Sequence, residues 1–226
     1  MREYNVEHSS VECQWLYKRM LPSLPGPGTP AFAKLVKGLD SFGIEPSGVT
    51  VDASSSKLSD VILGLVLLEK RVVVRITASS FDLFVTSLFV GDDNSLVGIA
   101  DLILDALQEI DPEADKADAK IRTSSHLSLV SADVEEFLGE YIVLKPSMSN
   151  LVPDAAAYKL NSTENIHSSE LRLVIAKSIG YANSIFVDVN RSYSNAPTAE
   201  TLATWANSDF EVIMEMLGLK EAEGHQ

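Results

Sequence analysis

Hydrophobic and polar positions along this chain change period several times, and the changes outline its elements. Residues 4–18 alternate Val11, Cys13, Trp15 and Tyr17 against Glu12, Gln14 and Lys18, the period of a strand. A helix capped by Ser9, with Glu12 three residues on, is the rival reading. Leu21 to Pro30 holds four prolines and two glycines and reads as a linker. Thr29-Pro30 then supplies an N-cap and a first-turn proline for a helix with Phe32, Leu35, Val36 and Leu39 on one face and Gly43 as its stop. From Gly48 to Val90 the period is that of strands. Val49 and Val51 alternate, Ser54–Ser56 is a turn or strand end, and Val61–Leu68 and Val72–Ile76 flank a hairpin turn at Glu69-Lys70-Arg71. Phe81, Leu83, Val85 and Ser87 alternate with Asp82, Phe84, Thr86 and Leu88, so four strands fit here. After Gly91-Asp92-Asp93-Asn94, Ser95 is the expected cap of a helix carrying Ile99, Leu102, Ile103, Ala106, Leu107 and Ile110.

The acidic stretch from Asp111 to Asp118 reads as a solvated connection between two halves. Ile121 to Val130 is a strand, Ser131 caps a short helix with Val134, Phe137 and Leu138, and Pro146 to Pro153 is loop. Strands follow near Ala155–Leu160, Leu171–Lys177 and Ser184–Tyr193, with Gly180 at the last turn. Pro197-Thr198 opens a final helix in which Leu202, Trp205, Ala206, Phe210, Ile213, Met214 and Leu217 fall at helical spacing before Gly218. The division expected is 1–111, 119–218 and a fraying tail at 219–226.

Each half thus runs strand, helix, three or four strands, helix, with no residue-level identity between them. That order resembles the duplicated saddle fold of the TATA-box-binding protein and its structural relatives. The resemblance implies an α+β fold of repeated strand–helix–antiparallel-sheet–helix modules, with helices packed on one face of the sheet. It does not imply DNA binding, because a fold does not fix a function. Over residues 72–218 the chain is also similar to an uncharacterised, sporadically distributed bacterial family. Those proteins end in a strand like Ile185-Phe186-Val187-Asp188-Val189, a polar spacer, and a helix with an aromatic such as Phe210 near its end. That family has no established activity, so this likeness implies architecture only.

Charge narrows the partners. Eighteen Lys and Arg against 32 Asp and Glu leave −14. Nucleic acids and anionic membranes are bound through clustered cations, so neither is expected as a ligand. Cys13 is the only cysteine, which excludes an intramolecular disulfide and a thiolate metal cluster. The start lacks the basic and apolar regions of a secretory signal, and the longest apolar run, Val61–Leu68, is far short of the about 20 residues of a membrane helix. The sequons at Asn161 and Asn190 are then chance matches, and the cytoplasm is the expected compartment.

No P-loop, GxGxxG, HExxH, CxxC pair or GxSxG occurs, and the histidines at 8, 126, 167 and 225 stand apart at no ligand spacing. No cofactor or metal is expected. Cys13 reads as a small buried hydrophobe, and Trp205 and Phe210 as core anchors. One constellation remains. Alternation puts Arg122, Ser124, His126 and Ser128 on one face of their strand, Phe186, Asp188, Asn190 and Ser192 on another, and Glu170, Arg172, Val174 and Ala176 on a third. Should the faces coincide, Arg122, His126, Arg172, Asp188 and Asn190 are the candidate ligand-binding residues, with Asp188 orienting His126. A solvated face of an antiparallel sheet alternates in the same way and is the reading the pattern favours.

Val61–Leu68 and Val72–Ile76 are apolar on both faces, which points to self-association. Together these features describe a non-catalytic protein-binding, adaptor or chaperone-like oligomer, an accessory component of a bacterial complex. The alternative is a small-molecule-binding or enzymatic domain with a pocket between sheet and helix.

Overall fold

A computed structural model describes residues 1–53, 57–89, 91–114, 117–141, 154–160, 168–194 and 198–222. The expected turn at 54–56, the loop at 146–153, Pro197, His167 and His225 lie outside them. In chain order the elements are β1 (Arg2–Tyr17), α1 (Pro30–Leu39), β2 (Val49–Asp52), β3 (Ile62–Leu67), β4 (Val72–Ile76), β5 (Ser80–Val85) and α2 (Asp92–Gln108). They continue with β6 (Ala117–Leu129), α3 (Val134–Tyr141), β7 (Ala155–Leu160), β8 (Ser168–Lys177), β9 (Ser184–Tyr193), α4 (Ala199–Met216) and β10 (Leu219–Glu221). The fold is α+β.

All ten described strands join one sheet, in the order β2-β3-β4-β5-β1-β6-β9-β8-β7, with β10 beside β1 off that path. Every ladder is antiparallel except β1 with β10. At the centre β1 and β6 pair from Tyr4↔Leu129 to Tyr17↔Ala117. Outward from that pair the strands run β5, β4, β3 on one side and β9, β8, β7 on the other.

Period two decides which face each residue serves. Leu63, Leu65, Leu67, Val72, Val74, Ile76, Phe81, Leu83 and Val85 are buried on one face, under α1 and α2. Leu171, Leu173, Ile175, Ile185 and Val187 are buried on the same face, under α3 and the C-terminal part of α4. Each such side chain, removed from water, stabilises the fold by about 1.5–3 kcal/mol before entropy is counted. The helices therefore pack on one face of the sheet. The core divides into two clusters that interlock across the halves: Tyr4 of β1 belongs to the second, while Ile121, Tyr193 and Leu202 belong to the first.

Several local signals act where the pattern put them. Thr29 Oγ1 accepts the Phe32 N–H at 3.2 Å and Thr198 Oγ1 accepts the Thr201 N–H at 3.1 Å, each capping its helix. Gly43 and Gly218 take φ of +69° and +63°, the left-handed stop that glycine adopts without a Cβ clash. Three others differ. The second long helix starts at Asp92, not after Ser95, because Asp92 Oδ2 accepts the Phe89 N–H and pairs with Arg71. The short helix is capped by Asp133, not Ser131: its carboxylate accepts the Glu135 and Glu136 N–H groups at 2.8 and 3.1 Å. The expected fraying tail is ordered through Ala222. Leu219–Glu221 pairs with Arg2–Tyr4, and Leu219 is buried in the second cluster, an apolar partner that the tail's polar composition conceals.

The stretch after α2 is also no mere solvated connection. Asp111 is buried, accepts two hydrogen bonds from the Arg19 guanidinium at 2.7 and 2.5 Å, and accepts the Glu113 N–H. These bonds hold its carboxyl down, to a pKa of about 2.

Candidate functional site

Opposite the helices lies the other face of the sheet, which no described helix covers. Its composition follows from register. Arg122, Asn190 and Arg172 stand in one cross-strand row, which Lys159 extends to the edge strand and Glu12 extends into β1. The next row holds Lys120, Ser192 and Glu170. On the other side come Ser124, Asp188 and Val174, and then His8, His126, Phe186 and Ala176. The three faces that the sequence showed separately therefore coincide, and Arg122, His126, Arg172, Asp188 and Asn190 all lie on this open face.

They do not form one cleft. Asp188, only 9% exposed, accepts Arg122 Nε at 2.8 Å and Ser124 Oγ at 2.6 Å. Its charge is neutralised by Arg122, which it holds in the protonated form. Arg172 Nε donates to Glu170 Oε1 at 2.5 Å, and Lys159 Nζ lies 2.6 Å from the other Glu170 oxygen. The two cations lower the Glu170 pKa through those bonds. Asn190 borders a depression of about 230 Å³ with Lys120, Glu170, Arg172 and Ser192.

His126 belongs to a third group. Its Nδ1 lies 2.9 Å from Ser178 Oγ, and its ring meets Tyr181, Phe186 and His8 at centroid distances of 5.0, 5.1 and 6.2 Å. Partial burial lowers its pKa, and the neighbouring His8 lowers it further. Asp188 contributes nothing to that shift, so the expectation that it orients His126 is corrected: the carboxylate is spent on Arg122 and Ser124 instead.

A hydroxyl bonded to an imidazole is part of an acyl-transfer nucleophile, but such a base is itself oriented by a third polar group. Here the ring's other neighbours among the described residues are the rings of His8, Tyr181 and Phe186. Ser178 is nearly buried and already accepts the Tyr181 N–H at 3.2 Å, while its own N–H closes the β8–β9 turn onto Ser184 O. The pair anchors a turn. Among the described residues no group of three or more His, Cys, Asp and Glu side chains could hold a metal ion.

The pocket expected between sheet and helix exists on the opposite face from these residues. It is an apolar crevice under α2 and α4, bordered by Val11, Cys13, Leu96, Ile121 and Leu202. Its volume is about 90 Å³, against roughly 300–1,000 Å³ for sites that hold a drug-sized ligand. His126, Arg172, Asp188 and Asn190 cannot line it, because they point through the other side of the sheet. Cys13 there is an inert thiol, its pKa pushed well up by burial.

Sequence reasoning passed over His8, Lys120, Ser178 and Tyr181. The histidines at 8 and 126 looked scattered, yet β1 and β6 set them directly opposite one another. No local signal announces a contact across so long a separation; only the β1–β6 register does. Comparison with known protein families and with curated proteins finds no match, so what the chain does must be read from its own residues.

Proposed function

We propose that this protein is a non-catalytic binding protein, an adaptor-like or chaperone-like component of a bacterial complex, whose open sheet face receives a protein partner. The observation that carries this reading is the uncovered face itself. A single sheet is sealed on one side by four described helices, and no described helix covers the other side across β3 to β7. Half-buried Ile62, Val66, Val73 and Phe84 lie on the bare side of the first half, next to the charged rows of the second. Partly apolar surface of this kind is what interfaces bury. We extend the proposal to an oligomer in which a second copy covers the apolar part of that face.

The His126–Ser178 pair, whose hydroxyl is tied into the β8–β9 turn and whose imidazole is packed among rings, supports the binding reading over the enzymatic one. So does the crevice under the helices, which is too small for a metabolite. The repeated element order, with β1 and β6 at the centre, supports a saddle like that of the TATA-box-binding protein, used here without a nucleic acid. No described helix is long and apolar enough to cross a membrane. A cytoplasmic seat goes with the single, buried Cys13.

Site-specific photo-crosslinking tests the reading. A crosslinking residue placed at Ser10 on the open face should give a discrete adduct in cells expressing the chain at native level. One placed at Asp105, exposed on α2, should give none. An adduct of twice 24.5 kDa identifies a second copy, and a different mass identifies another protein. No adduct from Ser10 or from any other open-face position would show that this face binds no protein.

A further inference from the structure

The open face carries a charge distribution unlike that of the chain as a whole. Across β6, β9, β8 and β7 its charged side chains are Lys120, Arg122, Lys159 and Arg172 against Glu170 and Asp188. Asp118, at the start of β6, is taken up by Lys18, just past the end of β1. A chain with a formal charge of −14 therefore presents a local surplus of two positive charges on half of one face.

That surplus is concentrated at one place. Glu170 is held between Lys159 and Arg172, and Asp188 by Arg122. Among the described residues Lys120, Asn190 and Ser192 have no side-chain partner, and they meet Arg172 around the 230 Å³ depression. Arg172 uses Nε on Glu170 and leaves its outer nitrogens to solvent. An ammonium, a guanidinium edge, an amide and a hydroxyl thus converge on one polar hollow, whose own carboxylate, Glu170, is engaged by Lys159 and Arg172. Such donors make their strongest bonds to an ionised oxygen acceptor.

We propose that the hollow between Lys120, Arg172, Asn190 and Ser192 accepts a carboxylate of an acidic segment of the protein partner, laid across β6, β9 and β8. The inference rests on the reading of the open face as a protein-docking surface and names the chemistry of what docks there. Charge arithmetic favours a peptide over a nucleic acid. Four strands at about 4.8 Å spacing span about 15 Å. Over that length a duplex presents about nine phosphates and a single strand about four. Two surplus positive charges fall short of either. They match one or two carboxylates, while the chain's overall negative charge repels a longer polyanion.

NMR titration of the full-length, 15N-labelled chain tests this. The probes are a synthetic octapeptide alternating glutamate with serine, the same peptide with lysine for glutamate, and a short single-stranded oligonucleotide. The glutamate peptide should shift the amides of Lys120, Arg172, Asn190 and Ser192 in a saturable way. Binding should weaken as NaCl rises from about 0.1 M to about 1 M, where the Debye length falls from about 10 to about 3 Å. The lysine peptide should leave those amides in place. Lys120→Glu with Arg172→Glu, both exposed positions, should cut the glutamate peptide's affinity about tenfold or more, and Lys120→Arg should keep it.

Shifts elsewhere, affinity unchanged by the double reversal, or stronger shifts from the oligonucleotide at these amides would each overturn the proposal. The two readings fail separately. Ser10 adducts that persist in the double reversal would keep the docking face and discard the carboxylate acceptor. Peptide binding without any open-face adduct would do the opposite.

Discussion

The sharpest stability test lies under α4, where Arg191 of β9 faces the helix side between the two apolar clusters. Arg191 is 7% exposed and donates to Asp209 Oδ1 of α4 at 2.6 Å, while the Tyr193 hydroxyl donates to Asp209 Oδ2 at 2.5 Å. Burial, and then that bond, push the Tyr193 pKa up, so the hydroxyl stays a donor at any working pH. One carboxylate thus satisfies a buried guanidinium and a buried phenol, and fixes the helix to the sheet. Asp209→Ala leaves both donors in place without their acceptor. Breaking a buried pair in this way costs about 3–5 kcal/mol. The exposed edge of Asp209 and a further partner of Arg191 put the expected loss at the lower end, about 3 kcal/mol. With a urea slope of about 2–3 kcal/mol per molar, the midpoint should fall by about 1–1.5 M. At about 2–4 °C per kcal/mol, the melting temperature should fall by about 6–12 °C. Circular dichroism in urea and on heating reads both. The apolar replacement Arg191→Met, Tyr193→Phe, Asp209→Leu should recover most of the loss, because it removes the stranded donors along with the acceptor. A loss for Asp209→Ala within about 0.5 kcal/mol would refute the reasoning, since only a solvated Arg191 behaves so.

Four further outcomes are expected. His126 has its pKa lowered from 6.5 in the fold, so the unfolded chain binds the proton more readily, and stability should fall as pH drops below that value; NMR should find the titration moved up by His8→Ala and unmoved by Asp188→Ala. Asp111 acts in the same direction at lower pH: with a folded pKa of about 2, its pairing with Arg19 stabilises the chain above the ordinary value of 3.8 and is lost as pH falls through about 2, so Arg19→Ala should shift the acid-unfolding midpoint to higher pH. Leu68, Glu69 and Lys70 take φ of +48°, +54° and +72° in the β3–β4 turn, where each non-glycine residue costs about 1–2 kcal/mol, so Lys70→Gly should raise thermal stability by about 0.5–1 kcal/mol after glycine's own entropy is counted. Trp205 is half-buried, stacked on Tyr193 at 5.7 Å, so Trp205→Ala should cost about half of the roughly 3–5 kcal/mol of a fully buried aromatic, read from the urea midpoint.

What the sequence made legible is what period and punctuation encode. The alternation of Val11, Cys13 and Trp15 predicted a strand, and β1 is one, with Trp15 stacked on Phe81 at 4.2 Å. Thr29-Pro30, Gly43, Thr198 and Gly218 marked helix ends because their chemistry acts within four residues along the chain. The misplaced caps have the same origin. Ser95 and Ser131 are good cap residues in isolation, but Asp92 is drawn to Arg71 and a nearer carboxylate, Asp133, supplies the second cap. Tertiary charge decided the first, and local competition decided the second.

Register is what a single sequence cannot supply, and it governs the open face. A shift of one residue between β6 and β9 would have turned Asp188 away from Arg122 and Ser124, since neighbouring residues point to opposite faces. Alternation alone therefore grouped Arg122 with His126 on one strand and Asp188 with Asn190 on another, but could not say which pairs touch. The register joins Arg122 to Asp188, leaves His126 to Ser178 and the rings, and brings Lys120 beside Asn190, Ser192 and Arg172. The same long-range pairing separates the chain's charge. Lys120 and Arg122 share one strand, but Lys159 and Arg172 stand well away from them in a chain whose charged residues are mostly acidic. Only the folded sheet gathers them on one face, and an overall charge of −14, summed over the whole chain, conceals that local grouping.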